Sequence, residues 1–595
     1  MEAGADHAIC RCGKAALWRC LGCIGSLPIC AHCLRDAHRL LPFHRVEFWS
    51  GKCWRAAWLR TVDVQVHLGH GGAPCSFLRD VTRNPAESNR ASDTAATSSP
   101  ETRKPRHGST LMMVIVDTSG IHELPVVFCG CPNAPTRDIQ LLRMGLYPAT
   151  SRRPQTAFTF RLLDDHLLTN KECKIPALSY YSRLRRITSE TFPHMVPDRY
   201  RDLLRVSRQW RNLRARRQAG IGYPGVPAPG PGAFAIKCPA CPWPGINMRP
   251  GWETDDDRWA HAASIIMDGN FGAQHMRMKN PEDDVRLADG HGYMVTDDPY
   301  KDHLRTACKP KRQKLECNEH RAVIGAASGR APLEATGIGA ACCSRHGFFY
   351  PHCVVDFQKG EQQKNMDYCL FQVTVFLHGI MLLLVLYDVW CYYYKHLLWR
   401  FDQSPALALP PDLTITGGIG QFHVHAHRAE CYPRFSPVFI PGAGQQLIEF
   451  IEPLWIETNE VAGSTRGMST AHRQEFLDDH MNDSNWYKMT RLAVALSRKW
   501  VTACDKIGPA IDAFDDLTKT TPLEKVNAWT QAAEKAARER HNDYDVMAIY
   551  DVQSTKLPTL QQIQLELVQT ENTRHGAQMG VAAWVVSGLK LEESK

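Results

Sequence analysis

Short apolar runs that stop at a carboxylate punctuate the second half of the chain. Ile265-Ile266-Met267 ends at Asp268-Gly269-Asn270, and Leu384-Val385-Leu386-Tyr387 ends at Asp388. Brief apolar runs bounded by turn residues predict buried strands. A residue just past such a strand lies at the sheet's rim, where carboxylates from distant segments can meet. Ile451-Glu452-Pro453-Leu454-Trp455 reads as helix instead, and Pro453 fits only a helix's first turn. Met112 to Val116 predicts another strand, followed to about residue 220 by amphipathic basic helices. Ala532 to Arg538 and Leu560 to Leu567 have helical periodicity. The most apolar stretch, Phe371 to Leu386, contains Gln372 and His378. It is shorter than the ~20 residues a spanning helix needs, so it reads as core.

Composition breaks divide these patterns into regions. Residues 1–78 are rich in Cys and His, and 79–108, rich in Ser, Thr, Asn, Asp and Pro, read as a flexible linker. Residues 109–232 read as a basic, mostly helical region closing on the Gly/Pro-rich segment Gly220 to Gly232. Residues 233–500 hold the carboxylates. Because 120 residues separate Asp268 from Asp388, long for adjoining strands, 289–346 reads as an insertion. Residues 501–595 read as a helical tail. The fold class expected is α/β, a mixed-sheet core with a helical insertion and tail beside a small zinc module.

Charge sharpens one region. The net charge is +8, but residues 151–220 carry 16 Arg and Lys against 6 Asp and Glu. Such a block suits a polyanionic partner, and equally a solvated helical face. Met1 is followed by Glu2 and Asp6 with no apolar run, so no secretory leader is expected. The 22 cysteines then read as metal ligands sooner than disulfides.

The densest ligand series is Cys10-x-Cys12, Cys20-x2-Cys23, Cys30-x2-Cys33, His38 and His44, eight candidates within 35 residues. That is enough for two tetrahedral structural Zn²⁺ ions. Interleaving would put pairs one and three on one ion, and two and four on the other. The spacing is similar to B-box and treble-clef modules. His70 and Cys75 read as loop residues. Cys238-x2-Cys241 with Cys343-x2-His346 is another candidate zinc set. His423, His427 and Cys431 recur every four residues, on one face if helical, with Cys391 as a further candidate ligand. They could equally contact phosphate or pack.

Three carboxylates, Asp268, Asp388 and Glu452, can hold two divalent ions for phosphoryl transfer. Each has a simpler explanation: a turn residue before Gly269, a helix N-cap, and a solvated helix position.

The ordered blocks narrow the choice. Pro42-Phe43-His44-Arg45-Val46-Glu47-Phe48-Trp49 and Leu68-Gly69-His70-Gly71-Gly72 resemble the CxC2 cysteine cluster associated with KDZ (Kyakuja-Dileera-Zisupton) transposases. Cys238 to Asn247, Asp268-Gly269-Asn270-Phe271, Asp289 to Tyr293, Arg345-His346-Gly347, Val355 to Glu361, Asn365 to Tyr368, Tyr387 to Cys391, Gly442-Ala443-Gly444, Glu452-x2-Trp455 and Leu477 to His480 resemble the transposase blocks in order. The resemblance implies an RNase H-like core and a DDE-type triad at Asp268, Asp388 and Glu452, with Asp268 bridging two Mg²⁺ (or Mn²⁺) ions. It also implies DNA partners, transposon ends and target, a nuclear location, and room for a homo-oligomer. Glu449 competes with Glu452, because Leu447-Ile448-Glu449-Phe450 stands where the family shows Asp-Gly-Glu-Gly. The alternative function is a catalytically dead, zinc-containing nucleic-acid-binding protein derived from a transposase. A B-box-like interaction module is the third choice, weakened by the lack of a preceding RING pattern.

Overall fold

A computed structural model describes residues 8–77, 110–308, 333–444 and 451–551, with a few positions beyond. The expected linker at 79–108, the basic cluster Lys309 to Lys314, Glu449 and most of Leu560 to Leu567 lie outside the described residues.

The N-terminal module is a three-stranded antiparallel sheet, β1 (Trp18–Cys20), β2 (Val46–Trp49) and β3 (Trp54–Ala57), beside helix α1 (Ala31–Ala37). Its apolar core is small, built on Leu34, Val46, Leu59, Val62 and Val64. The module does not end cleanly at residue 78. Strand β4 (Val66–His67) leaves it and pairs with the next sheet.

That sheet adds more strands to 109–232 than the single one expected at Met112 to Val116, although helix still predominates there. It adds β5 (Thr110–Asp117), β6 (Gly120–Val127), β7 (Leu146–Pro148) and β8 (Thr156–Thr159), in the order β4-β6-β5-β8-β7. Alternation along β5 explains its burial. Met113 and Ile115 meet Leu124, Val126 and Ala157 on one face. Val116 meets Ile121, Phe158 and the helices on the other. The helices are α2 (Phe160–Cys173), α3 (Ala177–Thr188) and α4 (Tyr200–Gln218).

The central sheet contains β9 (Ala263–Asn270), β12 (Gly337–Cys343), β13 (Val355–Phe357), β14 (Leu382–Tyr387) and β15 (Thr414–Gly418), in the order β13-β12-β9-β14-β15. β13, β12 and β9 run antiparallel; β9, β14 and β15 run parallel. A two-stranded ribbon, β10 (His275–Met276) and β11 (Leu333–Ala335), flanks it. The insertion expected at 289–346 is therefore too long by one strand, since β12 pairs directly with β9. Its small residues hid it. A Cβ on Gly339 would lie 2.7 Å from Met366 and Phe357, so glycine lets helix α5 (Gln363–Phe376) pack close. Phe371 to Leu386 is divided between α5 and β14, as core. Among the described residues no helix is long and apolar enough to cross a membrane.

Two buried links tie the sheet's surroundings together. Arg400 on helix α6 (Leu397–Asp402) donates to both carboxylate oxygens of Asp367 on α5, at 2.7 and 2.8 Å. After helix α7 (Ile451–Thr465) comes α8 (Thr470–Lys519), a continuous helix across the boundary expected at 500. The Ser469 side chain caps its start. Its first turns join the two sheet domains through Arg208–Glu475 at 3.0 Å and Arg211–Asp479 at 3.2 Å. Part of the basic block thus neutralises internal acids. The tail continues as α9 (Leu523–Glu539) and then returns, with Gly417 N–H and Trp390 Nε1–H donating to the Tyr544 hydroxyl at 3.0 and 3.2 Å.

Candidate metal centres and carboxylate site

The ligand spacing of the first module becomes two separate clusters. Cys10, Cys12, Cys30 and Cys33 form one; Cys20, Cys23, His38 and His44 form the other. Pairs one and three meet, as do pairs two and four; Cys30 caps the start of α1 and Cys33 lies in its first turn. Cys20 Sγ lies 3.1 Å from His38 Nε2, and Cys12 Sγ lies 3.4 Å from Cys30 Sγ. Tetrahedral ligands at about 2.3 Å from an ion stand ~3.8 Å apart, so these sets suit zinc. His38 Nδ1–H donates to Leu34 O at 2.9 Å, which leaves Nε2 free for a metal. Gly22 has no side chain for a reason: a Cβ there would lie 2.9 Å from the His44 ring.

His70 and Cys75 are not the incidental loop residues the sequence suggested. They join Cys129 and Cys131 in a third cluster, with His70 Nε2 3.3 Å from Cys129 Sγ and Cys75 Sγ 3.7 Å from Cys131 Sγ. Cys129-Gly130-Cys131 repeats the Cys-x-Cys spacing of Cys10 and Cys12, which was the available signal. Pairing of β4 with β6 brings the two halves together.

Cys238, Cys241, Cys343 and His346 form a fourth cluster at the end of β12. Cys241 Sγ is 3.1 Å from Cys343 Sγ, and His346 Nδ1 is 3.4 Å from Cys238 Sγ. Cys391, His427 and Cys431 make a three-membered set, with His427 Nδ1 3.5 Å from Cys391 Sγ. His423 does not join it. A short 3₁₀ turn, His423–Ala426, and the helix Cys431–Phe435 are separated by an extended His427, so no single helical face exists. His425 packs on the Tyr432 ring.

His423 turns to the carboxylates instead. Asp268 is near the end of β9, and Asp388 follows β14 directly. Met267 is registered against Tyr387, so the two aspartates occupy adjoining positions on parallel neighbours. Glu452 lies in the first turn of α7. His423 Nδ1 lies 3.2 Å from Asp388 and its Nε2 lies 3.4 Å from Glu452, so the imidazole separates them. Trp455, one turn along α7, donates Nε1–H to Asp268 at 2.7 Å.

A fourth acid was not anticipated. Glu361 accepts a hydrogen bond from the Tyr387 hydroxyl and faces Asp268. A Cβ on Gly269 would lie 2.5 Å from the Glu361 carboxylate. The Asp-Gly pair is therefore more than a turn signal: glycine makes room for an acid. Burial, then the charge of Asp388, pushes the Asp268 carboxyl up to about 7 against the Trp455 bond. Burial, then the charge of Asp268, pushes Glu361 up to about 8. Crowded carboxyls that resist ionisation gain from a cation.

No curated protein and no solved structure matches the chain. Residues 96–192 match the family model for the CxC2 like cysteine cluster associated with KDZ transposases. That segment includes Cys129 and Cys131 and follows the 1–78 stretch where the sequence motifs suggested it. Residues 261–485 match the Kyakuja-Dileera-Zisupton transposase model and contain Asp268, Glu361, Asp388, His423 and Glu452. The chain thus carries, in this order, regions similar to the CxC2 like cysteine cluster and to the Kyakuja-Dileera-Zisupton (KDZ) transposase domain.

Proposed function

We propose that the chain is a DDE-type DNA transposase that cleaves and transfers DNA strands at the rim of an RNase H-like sheet. The observation that carries this is the adjoining placement of Asp268 and Asp388 on parallel β9 and β14, with Glu361 against Asp268. The strand order, three antiparallel strands leading into three parallel ones about β9, supports the RNase H-like assignment.

The donor set is all oxygen, which fits Mg²⁺ or Mn²⁺. Asp268, Asp388 and Glu452 would hold such ions, which activate an attacking oxygen and stabilise a leaving one. Asp268 is best sited for a shared role, since acids flank it on both sides. Trp455 holds the Asp268 carboxylate in one orientation by its 2.7 Å bond. His423 lies between Asp388 and Glu452 and keeps them apart.

The Cys/His clusters would carry structural zinc. Each four-ligand set is filled by protein, so none leaves a position for water. Exposed arginines of the basic region would meet DNA phosphates, which makes the nucleus the place of action.

A second function has one observation in its favour. The His423 ring lies between two of the three acids. A chain in which that ring stays in place when Mg²⁺ is supplied would be a DNA-binding protein without cleavage. Nicking of supercoiled plasmid in Mg²⁺ by the full chain, beside Asp268→Asn and Asp388→Asn, decides. Cleavage lost in both variants supports the transposase. No cleavage with DNA still bound supports the second function. Cleavage that survives both substitutions excludes this site.

A further inference from the structure

Helix α8 outlives its own domain. From Thr490 to Lys519 only Leu492 and Thr518 are even half-buried. This half forms an arm roughly 45 Å long at 1.5 Å per residue. The arm is anchored near its base, where Lys499 Nζ donates to Arg345 O at 2.7 Å.

The arm is not polar all round. Trp500, Cys504, Ile507, Ile511 and Phe514 recur at alternating spacings of four and three, the seam of a coiled coil. Trp500 is 72% exposed, Ile507 62% and Phe514 67%. Val501 and Leu517 widen the stripe. Charges stay off the seam, at Arg498, Lys499, Asp505, Lys506 and Asp512. The exposed apolar side chains of the arm offer roughly 800 Å², what each partner contributes to a standard stable interface. Gly508 and Pro509 both weaken a bare helix, so an uncovered arm is poorly sustained.

We infer that the arm pairs with the arm of a second copy of this chain, antiparallel about a two-fold axis between Asp505 and Lys506. Three features select that occupant. First, the layers match by size: Trp500 would face Ile511, Cys504 would face Ile507, and bulky Phe514 would face small Ser497. Second, the base carries Arg491, Arg498 and Lys499 without an acid, whereas the tip carries Asp512, Asp515 and Asp516 against the single Lys519. Antiparallel arms set the basic end of one beside the acidic end of the other; parallel arms set like against like. Third, Asp505 and Lys506 exchange places under the same two-fold. An unrelated amphipathic partner would need none of these symmetries.

Light scattering on the full chain tests the pairing. The chain is expected at about 134 kDa, twice its 67.0 kDa. Ile507→Asp and Trp500→Asp are each expected to return it to 67.0 kDa with unchanged helix content, since neither side chain enters the core. The orientation is read by cysteine cross-linking. Ser497→Cys alone and Phe514→Cys alone should give no 497 or 514 disulfide, and the double variant should give a 497–514 bond between chains. These residues lie ~25 Å apart on one helix, so the bond cannot be internal. A monomer at every concentration overturns the inference, including one whose stripe is covered by its own C-terminal segment. So does a dimer that survives both aspartate substitutions. Cross-links from either single variant would replace the antiparallel arrangement with a parallel one.

Discussion

The N-terminal cysteine module and the carboxylate rim both gather reactive side chains, but they are held by opposite means. The module has few buried apolar residues, and its ligands stand close together in sequence. The rim has almost no local logic. Its acids come from residues 268, 361, 388 and 452, and a large apolar core of β9, β12, β14, α5 and α7 aligns them. If zinc fills its clusters, the module's geometry would depend on what its ligands bind, whereas the rim's acids are aligned by apolar packing. Small modules lean on metals because their cores are too small to offset chain entropy.

Removing metal is the strongest way to break this comparison. Zinc-dependent folding of small modules is worth on the order of 10 kcal/mol at neutral pH. A chelator should abolish hydrogen-exchange protection over β1, β2 and β3 while β9 and β14 stay protected. Protection retained in the module would show that its apolar core suffices.

The converse test strikes the core. Arg400→Ala would leave Asp367 buried without its partner, at a cost of about 3–5 kcal/mol. The urea midpoint should fall for the central domain, while zinc content of the module stays unchanged.

A smaller effect of opposite sign is expected at the rim. Asp268 is held near Asp388 and Glu361 with its carboxyl raised to about 7. Asp268→Asn removes that repulsion and should stabilise the Mg²⁺-free chain by about 1–2 kcal/mol, read from urea unfolding. A destabilised variant would mean the carboxylate serves packing rather than chemistry.

Acid gives the mildest probe, at the junction of the domains. Burial, followed by the charges of Arg211 and Arg208, pushes His472 down to about 3. Burial pushes His480 down to about 3 and His166 to about 4. Their folded values lie below the ordinary 6.5, so the unfolded chain binds more protons as pH falls. The contribution of these histidines should be level above pH 6.5 and decline between there and about 3–4. Metal ligands also protonate on acidification, so the difference between curves is the measure. His480→Gln should give a shallower decline in melting temperature toward the acid end than the parent. Identical slopes would remove His480 from the account.

Much was legible where contacts are local. Cys10 to His44 announced two interleaved ligand sets because their spacing is fixed by tight turns and one short helix. Asp268 and Asp388 were legible as rim candidates because an apolar run ends at each, although β9 itself continues to Asn270. Glu361 was not, although it lies in the Val355 to Glu361 motif. Nothing in Lys359-Gly360-Glu361 says that Tyr387 and Gly269 will receive it. Strand β12 escaped because Gly337-Ile338-Gly339-Ala340-Ala341 lacks the bulky residues that mark a strand; it is small where α5 crosses.

The sequence by itself determined the ligand types, their local spacing, the two rim candidates and the family resemblance. Only the tertiary structure decided which distant groups meet. It joined His70 and Cys75 to Cys129 and Cys131, drew His423 away from His427 and Cys431 to the acids, and made α8 one spine through an expected boundary. Local spacing follows from turn and helix geometry, which a few residues specify. Long-range meetings follow from strand register and packing, which the whole chain sets together.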